Sequence, residues 1–369
     1  MALNKFSLKK SDMKKSTSLK LSAGIVLLYV LALVNGCNKE KSSVCSQNDK
    51  KAEQMAAVVQ ATQNQPMIKV MSVADIRTSA DGTSYKIMFN QNAEMFSLED
   101  ASMLSVLRQA LASKSFVKVT FNPWQASIVK IDAPNSQEIS QMKSRQIVKS
   151  SGVAMNVNIE TMNTEAIDNM ERIAIINTTS PGLTNVVPDM ATAQSMFDYI
   201  SKQCCAIPGP YSIDYCISFQ YCEDGCYARA QKMCTILNNR YHYDTHKIFS
   251  FANAGSDVLS VKANKWGGCC VNWWYHVAPL VNIKTPTGTK AYVFDPAMFD
   301  QPVLLSAWLH AQQNPACAGG STPHVTMINI QPTVSYSPAD GTGYAFDTDP
   351  GSIDTDNTLV NYSALVTCP

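Results

Sequence analysis

Asp224-Gly225-Cys226-Tyr227-Ala228-Arg229-Ala230 sets a tight turn directly against the start of a helix. The helix runs on to about residue 239, with Ala230, Met233, Cys234 and Leu237 on its buried stripe. Ahead of it, Pro188-Asp189 caps an earlier helix that carries Met196, Phe197 and Ile200, and residues 216–221 read as a strand. Behind it, strands are expected at 247–251, 259–262, 272–283 and 291–294, and a helix at 304–312. Helix first and antiparallel sheet after is an α+β layout, and it brings a helix N-terminus against a sheet. The unpaired N–H groups and the positive dipole end at such a terminus favour an ionised thiol, so Cys226 stands where a nucleophile would.

A thiol needs a base. His276 lies in Asn272-Trp273-Trp274-Tyr275-His276-Val277-Ala278, where strand alternation puts Trp274, His276 and Ala278 on one face. Alone, a strand histidine is more often a satisfied surface or core group. Tyr292-Val293-Phe294-Asp295-Pro296 ends an apolar strand with a carboxylate, which alone would be a turn-initiating Asp before Pro. Helix cysteine, strand histidine and next-strand aspartate in that order are far more specific than any one of them. They match the papain-like and transglutaminase-like arrangement, in which a thiolate attacks, an imidazole shuttles the proton and a third group orients the ring.

Working outward, the 369 residues and 46% hydrophobic content allow two domains plus a targeting segment, and the net charge of +1 gives no reason to expect nucleic acid as a partner. Cys37 and Cys45 stand near the start, and the other cysteines all fall between Cys204 and Cys368. The five histidines, His242, His246, His276, His310 and His324, share that C-terminal part, so imidazole chemistry is available only there. The beginning reads as export: lysines up to Lys20 precede an apolar run, 21–34, too short to span a bilayer comfortably. The run ends in Val34-Asn35-Gly36-Cys37, like a bacterial lipoprotein processing site, so Cys37 is the candidate lipidated residue and a lipid anchor the expected membrane contact. Ordinary signal cleavage with Cys37 incidental is the alternative. Exported cysteines are presumptively disulfides unless given another task.

Residues 38–65 are polar and read as a tether. Beyond them a strand is expected at 85–89, a helix opening at Ser97-Leu98-Glu99-Asp100 with Met103, Leu104, Leu107 and Leu111 on one face, and strands at 116–121 and 127–131. This is a small α+β domain without histidine. Residues 134–182 are weakly patterned and close on the loop Asn177-Thr178-Thr179-Ser180-Pro181-Gly182. The expected division is therefore a signal segment at 1–36, tether and small domain at 38–182, and a chemistry-bearing domain at 183–369.

From about 183 onward the chain resembles the bacterial protein-glutaminases. The likeness is carried by Leu183-Thr184-Asn185-Val186-Val187-Pro188-Asp189, Cys216-Ile217-Ser218-Phe219, the Asp224 to Ala230 turn, Cys269-Cys270-Val271, Tyr275-His276-Val277-Ala278 and Asp295-Pro296. The resemblance implies a papain/transglutaminase-like catalytic domain in which Cys226, His276 and Asp295 act together. It implies hydrolysis of glutamine side chains in protein substrates with release of ammonia and no cofactor, and a pro-domain that blocks the site until it is removed. Trp273, Trp274 and Tyr275 are then candidate walls for the amide side chain, which needs a flat apolar surface near the thiol. Cys204, Cys222 and Cys234 look like additions to the family pattern, and Cys205 with Cys216 is the expected disulfide. With Cys226 set aside, the domain holds an odd number of cysteines, so one stays unpaired or pairs outside it. A transglutaminase, a cysteine peptidase or a non-enzymatic disulfide-rich lipoprotein are the alternatives.

Two other patterns are weaker. His242-x-x-x-His246 has metal-ligand spacing, but no adjacent Glu completes a metalloprotease helix motif. Asp347, Asp349, Asp354 and Asp356 suggest a calcium loop whose glycine spacing does not fit an EF-hand. No metal is expected.

Overall fold

The computed structural model describes residues 65–368, apart from 79–81, 99, 150–151, 177–179, 206–215, 254 and 256. The expected signal segment, the lipidation site at Cys37 and nearly all of the tether lie outside the described residues, as does the middle of the 177–182 loop.

Strands β1 (Met67–Thr78), β2 (Tyr85–Phe89) and β3 (Asn92–Leu98) form a meander, and helix α1 (Leu104–Ser113) follows a short 3-10 turn capped by Asp100. The helix therefore starts later than the 97–100 signal suggests, because 92–98 is taken up as a strand opposite β2. β4 (Phe116–Asn122) and β5 (Ser127–Asp132) complete the set, and β4 alternates strictly between half-buried and buried residues. β5 returns to pair with β3 at Ser127 opposite Ser97, so the five strands close on themselves around Phe89, Phe96, Leu107, Val119 and Phe121.

The weakly patterned 134–182 stretch is structured. It contains α2 (Ser136–Ser144), with a capping box between Asn135 and Glu138, then β6 (Ile147–Lys149), β7 (Val153–Asn156) and α3 (Thr164–Ile173). Next come α4 (Met190–Ser201), capped by Asp189 and burying Met196, Phe197 and Ile200, and α5 (Cys226–Tyr241). The expected 216–221 strand is an irregular segment held by one bridge, Ile217 to Cys204, because it turns back at Ser218–Tyr221 instead of finding a partner edge.

The remainder is β8 (His246–Phe251), β9 (Asp257–Lys262), β10 (Cys270–Trp273), β11 (Tyr275–Thr285), β12 (Gly288–Val293), β13 (Val303–Leu304), α6 (Leu305–His310), β14 (Thr322–Pro323), β15 (Met327–Pro332), β16 (Ser335–Pro338), β17 (Ala345–Thr348) and α7 (Ile353–Tyr362). The single strand expected at 272–283 is two strands in different sheets, broken at Trp274. β10 joins the sheet β14-β9-β10-β3-β2-β1-β4-β5, whereas β11 lies in the sheet β13-β12-β11-β8-β15-β7. A third sheet, β16-β17-β6, completes the architecture. α5 packs on β11, and one large core runs from Phe197 and Leu237 through Ile248, Val277 and Val293 to Trp308.

Candidate active site

Gly225 precedes α5 with φ 83°, and a Cβ there would stand 2.9 Å from the Tyr362 ring, so both conformation and space require glycine. The turn is fastened from beneath by Arg229, fully buried, whose Nη1 donates to the carbonyls of Asp224 and Tyr221 at 2.7 Å each. Cys226 is thereby fixed at the first residue of the helix.

Opposite, β11 presents His276, whose Nε2 lies 2.8 Å from Asp295 Oδ2. Asp295 follows β12, where the Phe294 N–H to Pro279 carbonyl bond extends the β11–β12 pairing and sets the carboxylate beside the ring. Trp308 Nε1 of α6 donates to the same oxygen at 3.0 Å. Two indoles flank the imidazole: Trp273 at 4.4 Å and 14°, and Trp308 at 5.4 Å and 26°. His276 can neither tilt nor translate without breaking these stacks, and its Nδ1 is buried without a hydrogen-bond partner. Burial works to raise the Asp295 carboxyl, but His276 and the Trp308 N–H hold it below the usual carboxylate range.

The structure places Cys226, His276 and Asp295 on elements that pack together, α5 on β11 and β11 beside β12, and closes them to solvent at 2%, 1% and 3% exposure. Burial pushes the Cys226 thiol up to about 12, against the opposing pull of Arg229 and a backbone hydrogen bond from Val277. The helix terminus alone would favour the thiolate; in this closed arrangement desolvation outweighs it. The cover is β3. Glu94 pairs with Trp273 of β10, the Ala93 N–H donates to Asp224 Oδ1 at 2.9 Å, and the Trp274 N–H donates to the Ala93 carbonyl at 3.1 Å. Met88, Ala93 and Met95 share the core cluster of Cys226.

The three aromatic candidates separate. Trp273 stacks on His276, donates Nε1 to the carbonyls of Cys222 and Glu223, and borders a cavity of about 450 Å³ lined by Val261, Met298 and His310. Trp274 sits at the strand break, so the alternation that would place it on the His276 face does not hold; its Nε1 donates to the carbonyls of Phe89 and Asn92. Tyr275 is in the core against Phe249, Phe251 and Trp274.

Disulfides join Cys205 to Cys216, Cys269 to Cys368 and Cys270 to Cys317, while Cys222, Cys226 and Cys234 are free and buried. His242 ends α5 in the left-handed region and His246 opens β8. Asp349 accepts the N–H groups of Asp354 and Thr355 at the start of α7, while Asp354 and Asp347 lie 2.5 and 3.8 Å from Arg145. Trp308, Arg229 and the β3 cover carry no sequence signal of their own, because each acquires its role only through packing against distant segments.

A family model described as Glutaminase matches residues 193–312, a span that holds Cys226, His276 and Asp295. The chain is similar to a crystal structure of pro-protein-glutaminase, 26% identical over 82% of this chain and 95% of that one, with a TM-score of 0.58. It is equally similar to a crystal structure of a mutant of pro-protein-glutaminase, 26% identical over 83% and 95%, with a TM-score of 0.59. A crystal structure of protein-glutaminase is 35% identical over 50% of this chain and 93% of that one, with a TM-score of 0.43. No curated protein matches the chain. With the family model seated on the cysteine, histidine and aspartate, and the likeness to pro-protein-glutaminase running through nearly the whole of that protein, this chain belongs to the protein-glutaminase family.

Proposed function

We propose that this chain is the self-inhibited precursor of an exported, papain/transglutaminase-like cysteine hydrolase that deamidates glutamine side chains in proteins. The observation that carries the reading is the buried His276–Asp295 pair, whose remaining ring nitrogen, Nδ1, has no partner, on a strand packed against the helix that Cys226 opens. Nε2 is engaged by Asp295, so Nδ1 takes the Cys226 proton. The thiolate attacks the glutamine carbonyl carbon, with N–H groups at the start of α5 receiving the developing oxyanion. The C–N bond breaks as His276 protonates the departing ammonia, leaving a thioester. His276 then takes a proton from water, hydroxide adds to the thioester, and glutamate leaves as the thiol re-forms.

Residues 38–182 act as the intramolecular inhibitor, with β3 lying where the substrate chain would enter, and activity waits on the linker near 177–183 being cut and this part being removed. Trp274, bonded to β3 in the closed form, is freed to wall the substrate. The leader at 1–36 and Cys37 make the precursor an anchored lipoprotein and the mature domain extracellular or periplasmic.

The test is mass spectrometry of a protein substrate after incubation with the activated chain. Glutamines should gain about 1 Da with ammonia released and asparagines untouched, since misplacing the shorter side chain costs on the order of a hundredfold. New termini would convert the assignment to peptidase, and glutamine–lysine crosslinks to transglutaminase. Cys226→Ala should abolish turnover, His276→Ala should nearly do so, and Asp295→Ala should leave a small residual rate, because an orienting group is less costly to lose than a reacting one.

A further inference from the structure

Lys69 of β1 reaches the turn that carries the nucleophile. Its Nζ donates to Asp224 Oδ2 at 3.1 Å, to the Tyr227 hydroxyl at 2.8 Å and to the Tyr362 hydroxyl at 2.7 Å. It also lies over the Tyr362 and Tyr227 rings, 4.8 and 5.5 Å from their centroids. Both hydroxyls donate in turn to Asp224 Oδ2, at 2.8 and 2.6 Å, which leaves their lone pairs for the ammonium. The Asp224 side chain is wholly buried, and its other oxygen accepts the Ala93 N–H.

This is a complete site for one chemical group. Three acceptors surround a single nitrogen, and of the protein cations only an ammonium carries three hydrogens on one nitrogen; no guanidinium nitrogen does. The aromatic walls add cation–π attraction. Every acceptor belongs to the part that persists under the proposed function, and the lysine belongs to the part that leaves. Removal of β1 therefore strands a carboxylate two residues before Cys226. The nearby Arg229 spends its Nη1 on the carbonyls of Asp224 and Tyr221 and makes no hydrogen bond to the Asp224 carboxylate. A carboxylate in such walls gains strongly from a new cation.

We propose that the Asp224–Tyr227–Tyr362 socket is a substrate subsite for a lysine ammonium, so that the enzyme prefers glutamines with a lysine close by in the chain or on the folded surface. Lys69 occupies the subsite in the precursor, just as β3 occupies the substrate path beside it. The inference rests on the proposed deamidation and on the inhibitory role of the N-terminal part.

The experiment measures kcat/KM of the proteolytically activated chain on peptides holding one glutamine, with lysine, norleucine or arginine placed in turn at each of the neighbouring positions. The lysine peptide at the best position should exceed its norleucine counterpart by about tenfold, mostly through KM, with arginine gaining less. In Tyr362→Phe the lysine-to-norleucine ratio should fall severalfold. Equal rates for lysine and norleucine at every position would overturn the subsite. Should no peptide be deamidated, the proposed reaction fails, and calorimetry of the same peptides with the activated Cys226→Ala chain still decides the socket: tighter binding of lysine peptides upholds it, and equal binding overturns it.

Discussion

Trp308 and His276 meet on one oxygen, Asp295 Oδ2, and that shared acceptor gives the tryptophan a task beyond filling space. An aspartate that orients an imidazole must itself be held, and here one side of the hold is the indole N–H while the indole face stacks on the ring being oriented. Trp308→Phe keeps most of the stack and deletes the donor. A hydrogen bond to a charged group is worth about 1.5–3 kcal/mol, so kcat should fall roughly tenfold or somewhat more while KM hardly moves. Ammonia-release kinetics on the activated variant check this, and an unchanged kcat with only a lowered melting temperature would reduce Trp308 to packing. Cys226, His276 and Asp295 could be picked out in sequence as candidates because their residue types and their order along the chain fit one chemistry. Trp308 was not: a tryptophan in a short helix reads as core until the turn at Asp295 is folded against it.

At the scale of elements, β3 meets β10 at Glu94 and Trp273, and under the proposed function this contact decides closure of the site. Glu94 stands opposite Trp273, buried, with neither carboxylate oxygen hydrogen-bonded. Burial, then the neighbouring Glu223 and Asp224, raise its pKa well above the ordinary value, with Lys69 and Lys86 opposing; burial likewise raises Glu223 to about 7. A carboxyl whose docked pKa is raised stabilises the closed form fully below its free-strand pKa, and that stabilisation is lost as pH rises through the docked value. The cover should loosen as pH rises above the ordinary carboxylate range, by at most about tenfold per pH unit for each proton lost in the opening equilibrium. Glu94→Gln removes the share of the dependence that Glu94 contributes. Amide exchange in β3, compared between wild type and variant at each pH, should diverge as pH rises, with wild type exchanging faster; identical ratios from pH 5 to 8 would sink the idea. The elements themselves were read unevenly from sequence. β4 alternates cleanly and α5 shows its stripe, so both were legible. The break at Trp274 was hidden inside a continuous apolar run, because it exists only where Ala93 and Asn92 arrive to take the Trp274 N–H and Nε1 groups.

Across the whole molecule, the strands do not respect the chain order on either side of residue 182. β7 lies at the edge of the sheet that carries His276, through pairing with β15 from Met327–Asn156 to Ile330–Val153, and β6 pairs with β17. β10 in turn extends the sheet of β1 to β5. Such short, half-exposed strands as β6 and β7 have no alternation to read, which is why 134–182 looked like a featureless connection while it in fact threads both later sheets. Three strand pairings, the Lys69 contact and the Arg145–Asp354 pair all cross from residues before 182 to residues after it. Severing one covalent link removes none of them. A chain nicked once between 177 and 183, at an introduced protease site, should therefore remain a single species on non-denaturing size exclusion and stay close to the intact precursor in activity. Full activity should appear only when the N-terminal part is digested away or displaced by mild denaturant. Prompt separation of the two pieces, with full activity after the single cut, would show that the crossing contacts are too weak to hold the site shut.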